Sequence, residues 1–181
     1  ITLGMASALS FSRMLACALE RHADCDIYLK IHPDVLSGRK QGHFVKDDLP
    51  DKVRLIAYDA QPLSLLAQVV EVYTVSSQMG FEALLLGKTV HCFGMPFYAG
   101  WGLTIDEQSS PRRKRKRTLT ELFCAAYLLY ARYYSPSRQS LCTIFSCLEL
   151  LKTQRTLNEA NRGFHACLGF RRWKHEHARA F

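Results

Sequence analysis

VYTVSSQMGFEALLLGKTVHCFGMPFYAGW, residues Val72–Trp101, decides the fold. It reads as strand, turn, helix, strand and a glycine-rich aromatic loop. Val69 to Val75 is apolar and β-branched, which suits a buried strand. Ser77 to Leu86 carries helical spacing and stops at Gly87, a residue that accepts the left-handed C′ position. Thr89 to Phe93 is a second apolar run. Ser76 and Ser77 stand where strand gives way to helix. A helix start offers unpaired N–H groups and partial positive charge, and serine adds a cap or a hydroxyl donor. That combination suits a phosphate.

Working outward, the same alternation continues. Phe11 to Arg21 has helical spacing, with Ser10 or Ser12 as the expected cap. Ile27 to Ile31 is a short strand ended by His32-Pro33. Asp34 to Asp48 is polar and reads as a loop or lid. Val53 to Ala57 is a strand, and Leu63 to Gln68 a short helix begun after Pro62. Strands separated by helices predict an α/β fold: a parallel sheet with helices on both faces. Beyond the aromatic loop, Thr118 to Tyr134 and Ser140 to Thr156 read as helices. Asn158 opens a polar connector (NEANRG), followed by an expected strand from His165 to Phe170. The expected organisation is one lobe over residues 1–157, with residues 158–181 a linker and the start of a following module.

Composition bounds the function. The chain has 181 residues, 48% of them apolar, which is enough for an ordinary core. It holds no apolar run of the length a membrane-spanning helix needs, nor a basic-then-apolar leader. It starts at Ile1 and reads as an internal fragment. The seven cysteines are an odd number without a CxxC pair, as expected of reduced thiols in a cytoplasmic protein. Net charge is +8, and six of those charges sit in Arg112 to Arg117 (RRKRKR). The run is a solvated loop or a contact with an anionic lipid surface. No nucleic-acid module accompanies it.

Ligands of open parallel sheets bind beyond the carboxyl ends of the strands. Four such ends are His32-Pro33, the turn at Gln61-Pro62, Ser76-Ser77 and the loop from Gly94 to Gly102. His32 titrates near neutrality, so it could donate to a phosphate or protonate a leaving group. Glu82, about one and a half turns past Ser77, could accept from ribose hydroxyls. Gly80 and Gly94 allow close backbone approach. Phe97, Tyr98 and Trp101 line a base or sugar pocket, or close the core. His175-x-His177 and His165-x-Cys167 lack further ligands, so no metal is expected. GxGxxG, GxxxxGK[ST] and GxSxG are all absent, against simple dinucleotide, NTPase and hydrolase sites.

Three segments carry a family resemblance: LKIHPDVLSGRKQGH (Leu29–His43), VYTVSSQMGFEALLLGKTVHCFGMPFYAGWGLT (Val72–Thr104) and RRKRKRTLTELFCAAYLLYARYYSP (Arg112–Pro136). With them the chain resembles bacterial capsule polysaccharide biosynthesis and export proteins of the two-module KpsC type, which are β-Kdo transferases. The resemblance implies a Rossmann-like C-terminal lobe of a GT-B glycosyltransferase. It implies CMP-Kdo as donor, a lipid-anchored Kdo acceptor, no cofactor, and a cytoplasmic place peripheral to the inner membrane. His32 and Pro33 would meet CMP, Ser76 and Ser77 its phosphate, and Glu82 the ribose, with Gln61, Gly80 and Gly94 around them. The carboxylate nucleophile of a retaining transferase is expected upstream of Ile1, so this stretch alone is expected to be inactive. A non-catalytic export protein, or another GT-B enzyme such as a sialyltransferase or nucleotide-sugar epimerase, stays open as an alternative.

Overall fold

The computed structural model describes residues 3–31, 35, 42–44, 49–56 and 61–167. His32 and Pro33, and most of the expected loop from Asp34 to Asp48, lie outside the described residues. The chain divides into two compact units, Ile1–Leu122 and Phe123–Phe181.

In the first unit, helix α1 spans Ala8–Arg21 and strands β1 and β2 span Ile27–Lys30 and Val53–Ile56. Helix α2 is Pro62–Gln68, with Pro62 at its first position, where the missing N–H costs nothing. Strand β3 is Glu71–Thr74, helix α3 Met79–Leu85, strand β4 Thr89–Cys92, strand β5 Ile105–Asp106 and helix α4 Leu119–Phe123. β1 pairs with β2 in parallel, and β3, β4 and β5 form a parallel sheet in that order.

The expected parallel α/β architecture is therefore present, with helices on both faces of the β3–β5 sheet. Met14 of α1 packs with Val75 and Phe93, with Tyr73 at the edge of the same cluster. Thr74 points the other way. There Tyr98 lies against Gly80, at the start of α3. β4 is the central strand, and its last three residues are buried.

Local chemistry explains the ends. α3 stops at Leu86 with Gly87 at φ +69°. The Gly87 and Lys88 N–H groups bond the Leu84 and Ala83 carbonyls at 3.0 Å each, a complete Schellman closure. The expected caps of α1 are corrected: the helix is capped at Ser7. Ser10 sits at its third position, where its hydroxyl accepts the Ser7 N–H at 3.2 Å.

The second unit departs further from expectation. After α4 the helix widens into a π-helix, Cys124–Tyr130. Strands β6 (Tyr133–Ser135) and β7 (Ser140–Cys142) then form an antiparallel hairpin, and helix α5 runs Ile144–Cys167. The two expected helices are thus one short helix with a π continuation, a hairpin, and one long helix. Asn158 and the NEANRG segment lie inside α5, and so does His165; none of them forms a connector or a strand. The run Thr153 to Glu159 satisfies its polar groups along the helix. Thr153 and Thr156 hydroxyls donate to carbonyls four residues back, and Arg155 bonds Glu159 at 2.8 Å.

Candidate binding rim at the ends of the parallel strands

The serine turn is built by its own backbone. Ser77 donates its N–H to Thr74 Oγ1 at 3.1 Å, and its hydroxyl accepts the Met79 N–H at 3.3 Å. The Ser77 carbonyl accepts the Gly80 N–H at 3.1 Å and the Tyr98 hydroxyl at 2.5 Å. Ser76 and Ser77 are exposed, just past the carboxyl end of β3.

Gly94 lies beside them at the end of β4. A Cβ on Gly94 would meet the Val75 carbonyl at 2.7 Å and the Gly4 carbonyl at 2.9 Å. Only glycine lets these three backbones converge. Gly80 is constrained differently. A Cβ there would run into the Tyr98 phenol, with the ring Cζ at 2.7 Å.

Glu82 is two residues further along α3. Its Oε2 is buried and has no hydrogen-bond partner among the described residues. A buried carboxylate oxygen left unpaired is costly, and a water, an ion or a ligand can complete its hydrogen bonding.

The structure therefore brings Ser76, Ser77, Gly80, Glu82 and Gly94 together on one βαβ unit. Gln61 is the N-cap residue of α2, exposed and without a side-chain cap bond. α2 packs against α3.

Two parts of the rim were missing from the sequence reading. One is the turn at Gly4-Met5. Both residues have positive φ, +67° and +55°. The Gly4 carbonyl accepts the Met95 N–H at 2.6 Å, and the Cβ direction of Gly4 faces Ser76. The Gln108 amide locks this turn by donating to the Met5 and Phe93 carbonyls, 3.1 Å each. The glycine was visible, but its contact lies some ninety residues away along the chain.

The other is Arg113. Its guanidinium donates to the Pro96 and Ala99 carbonyls at 2.5 and 2.6 Å and lies 5.5 Å from the Trp101 ring. The Trp101 indole N–H donates to the Phe97 carbonyl at 2.8 Å, and Asp106 accepts the Gly100 N–H at 2.8 Å. Tyr98 is 0% exposed, so of the two roles open to it, closing the core is the one it takes. Burial, Cys92 and Asp106 push its phenol far above the usual range, against a Thr74 hydrogen bond. Phe97 and Trp101 are half-buried.

Away from the rim, the α1 face carries a second polar cluster. Glu71 Oε2 is approached by Tyr73 Oη at 2.9 Å, His91 Nε2 at 3.1 Å and His22 Nε2 at 3.2 Å. Tyr73 stacks on His91 with ring centroids 4.4 Å apart. Burial pushes the Glu71 carboxyl up, but hydrogen bonds from Tyr73 and His22 and the interaction with His91 outweigh it and hold it low. Burial likewise holds the His91 imidazole below its usual value against the pull of Glu71. The Tyr73 phenol is pushed up to about 12 by burial and by Glu71. Tyr73 is two residues from Glu71, but His91 and His22 lie 20 and 49 residues away, so no local pattern announced the cluster.

With this geometry in hand, relatives are informative. Residues 1–133 match the family described as capsule polysaccharide biosynthesis protein. The capsule polysaccharide modification protein LipA of Neisseria meningitidis serogroup B is 41% identical over the whole chain. The chain spans 27% of LipA's length. The lipopolysaccharide-processing protein LpsZ of Rhizobium meliloti is 41% identical over 74% of the chain, which covers 30% of it. Among solved structures, the β-Kdo 2,4 transferase of Thermosulfurimonas dismutans KpsC superposes with a TM-score of 0.78 at 50% identity. That match covers 82% of this chain and 46% of the other. The β-Kdo 2,7 transferase of the same KpsC gives 0.65 at 33%, covering 78% and 45%. The matched 1–133 segment takes in the serine turn, the glycine crossing and the Arg113 strap, and this chain belongs to the capsule polysaccharide biosynthesis protein family.

Proposed function

We propose that this chain is the donor-binding lobe of a retaining β-Kdo transferase that uses CMP-Kdo in capsule assembly. The observation carrying this reading is the 50% identity to a β-Kdo 2,4 transferase across most of the chain. The same likeness exceeds that to the 2,7 transferase, which favours a 2,4 linkage. The nucleotide-sugar lobe is assigned to residues 1–157, with its site in the first compact unit, Ile1–Leu122; α5 runs through residue 157 without a break to Cys167.

Within the lobe, the Ser76 and Ser77 hydroxyls bind the CMP phosphate. Glu82 accepts from the ribose, which supplies the partner its buried oxygen lacks. Gly94 keeps the backbone crossing close, and Gly80 makes room for the Tyr98 ring beneath the serine turn. Gln61, His32 and Pro33 complete the donor pocket, and His32 stabilises the departing phosphate. The nucleophilic carboxylate and the acceptor site belong to the remainder of the longer protein.

The lipid-anchored acceptor implies work at the inner-membrane surface. No helix among the described residues is long and apolar enough to cross a membrane. Within Arg112 to Arg117 every residue is exposed except Arg113, which is engaged with the aromatic loop. The run makes the peripheral contact, with salt-sensitive liposome binding as its signature.

The test is transfer from CMP-Kdo to a Kdo-terminated lipid acceptor by the full-length protein, with linkage read by NMR. His32→Ala should abolish transfer, and Glu82→Gln should raise the donor KM about tenfold. A wild-type rate in His32→Ala removes that residue from the mechanism. Preference for UDP over CMP in calorimetry would favour an epimerase.

A further inference from the structure

Tyr98 never reaches the rim, yet it controls the residue that does. Its side chain is fully buried, twenty-one residues from Ser77 in sequence, and its hydroxyl ends on the Ser77 carbonyl. That carbonyl already accepts the Gly80 N–H, so the phenol is not needed to satisfy it. A phenylalanine would fill the same space without a polar atom to desolvate. The hydroxyl therefore constrains the turn in addition to any packing role. Gly80 points the same way. Glycine weakens a helix, but here it leaves the space that the Tyr98 ring occupies.

Resting on the donor-binding function above, we propose that Tyr98 is a positioning residue for the serine turn. Seated on Gly80, it fixes the Ser77 backbone so that the Ser76 and Ser77 hydroxyls present a preformed cradle to an anionic phosphate. With the N–H held by Thr74 and the carbonyl held by Tyr98, Ser77 has both backbone groups clamped. Its hydroxyl accepts from Met79 and keeps its own proton for a ligand. A cradle held this way does not reorganise when the phosphate arrives, so affinity falls when the clamp is loosened.

The experiment uses the full-length protein with Tyr98→Phe, and Val53→Ala as a buried control on β2. In Tyr98→Phe, calorimetry with CMP should show a Kd raised about five- to tenfold, while kcat at saturating donor stays within about twofold. Amide exchange at Ser77 and Met79 should accelerate in Tyr98→Phe and not in the control. Gly80→Ala should weaken CMP in the same direction. Combining it with Tyr98→Phe should cost less than the two effects added, because the phenyl ring lacks the hydroxyl, the nearest of the Tyr98 atoms the new methyl strikes, although its Cζ and Cε2 still crowd it. Equal CMP affinity and equal exchange in Tyr98→Phe and the control overturn the proposal, as does strict additivity. If the wild type binds no CMP, the donor assignment falls, and the exchange measurement still decides whether Tyr98 holds the turn.

Discussion

Aromatic and leucine side chains meet opposite fates in two parts of this molecule. In the loop after β4, Tyr98 is 0% exposed, and Phe81 of α3 packs beside it with ring centroids 6.1 Å apart. In the second unit, Tyr130 is 86% exposed and Phe145 72% exposed, with Leu129, Leu141 and Leu151 also in the open. The difference lies in what surrounds the rings. The loop is cross-braced by Arg113, Asp106 and the Trp101 indole, each closing a backbone group. α5 carries surface ion pairs, Lys152 with Glu149 and Arg155 with Glu159, which contribute little in water. Backbone groups are paired in both places, so the difference lies in side-chain packing: Phe81, Phe97 and Tyr98 pack on one another, whereas the Tyr130 and Phe145 rings are exposed.

The contrast predicts a graded response. The largest loss should come from Gly94→Ala. The added methyl meets two carbonyl oxygens, and backbone cannot swing aside as a side chain can. The expected cost is about 3 kcal/mol by urea denaturation. A loss under about 1 kcal/mol would mean that the crossing of the Val75, Gly4 and Gly94 backbones yields freely.

A second, smaller effect should appear in acid and belong to the first unit. Both His91 and Glu71 have lowered values in the fold, from ordinary values of 6.5 and 4.5. The unfolded chain therefore binds more protons in that range. Stability is full above pH 6.5 and declines as pH falls through it, with a further decline below 4.5. Tm measured from pH 7.5 to 5 should fall more steeply in Glu71→Gln than in wild type, because removing the carboxylate that pulls the His91 value up leaves burial to lower it further. Parallel curves would show that the cluster does not couple α1 to β3 in this way.

The smallest effect should be Phe145→Ser, expected to lie within about 0.5 kcal/mol because the ring is exposed. A loss above about 2 kcal/mol would erase the contrast, since only a packed ring costs that much.

How far the chain could be read from its letters follows the same divide. β1 to β4, α1 and α3 were legible because each is an apolar run closed by a strong punctuator: His32-Pro33, Pro62, Gly87. The serine turn was legible for the same reason. β5 was not, since Ile105-Asp106 is too short to form a pattern. Apolar density in Thr118 to Tyr134 and Ser140 to Thr156 suggested two helices. The SPSRQ stretch between them instead closes a hairpin, and Gln139 takes a positive φ of +49° there. At the rim, Ser76, Ser77, Gly80, Glu82 and Gly94 lie close together in sequence, so their grouping could be foreseen. Gly4, Gln108 and Arg113 reach the rim only through tertiary contacts, and nothing local marks them.

β5 is also the outer strand of its sheet, opposite β3. An outer strand presents unpaired amides that can recruit a strand from another chain, and the hazard grows with length. Two residues give an incoming strand almost nothing to zip against. Pro111 and the dense positive charge that follow would repel or misfit any extension of that edge. The brevity that hid β5 from the sequence pattern is thus a guard against aggregation.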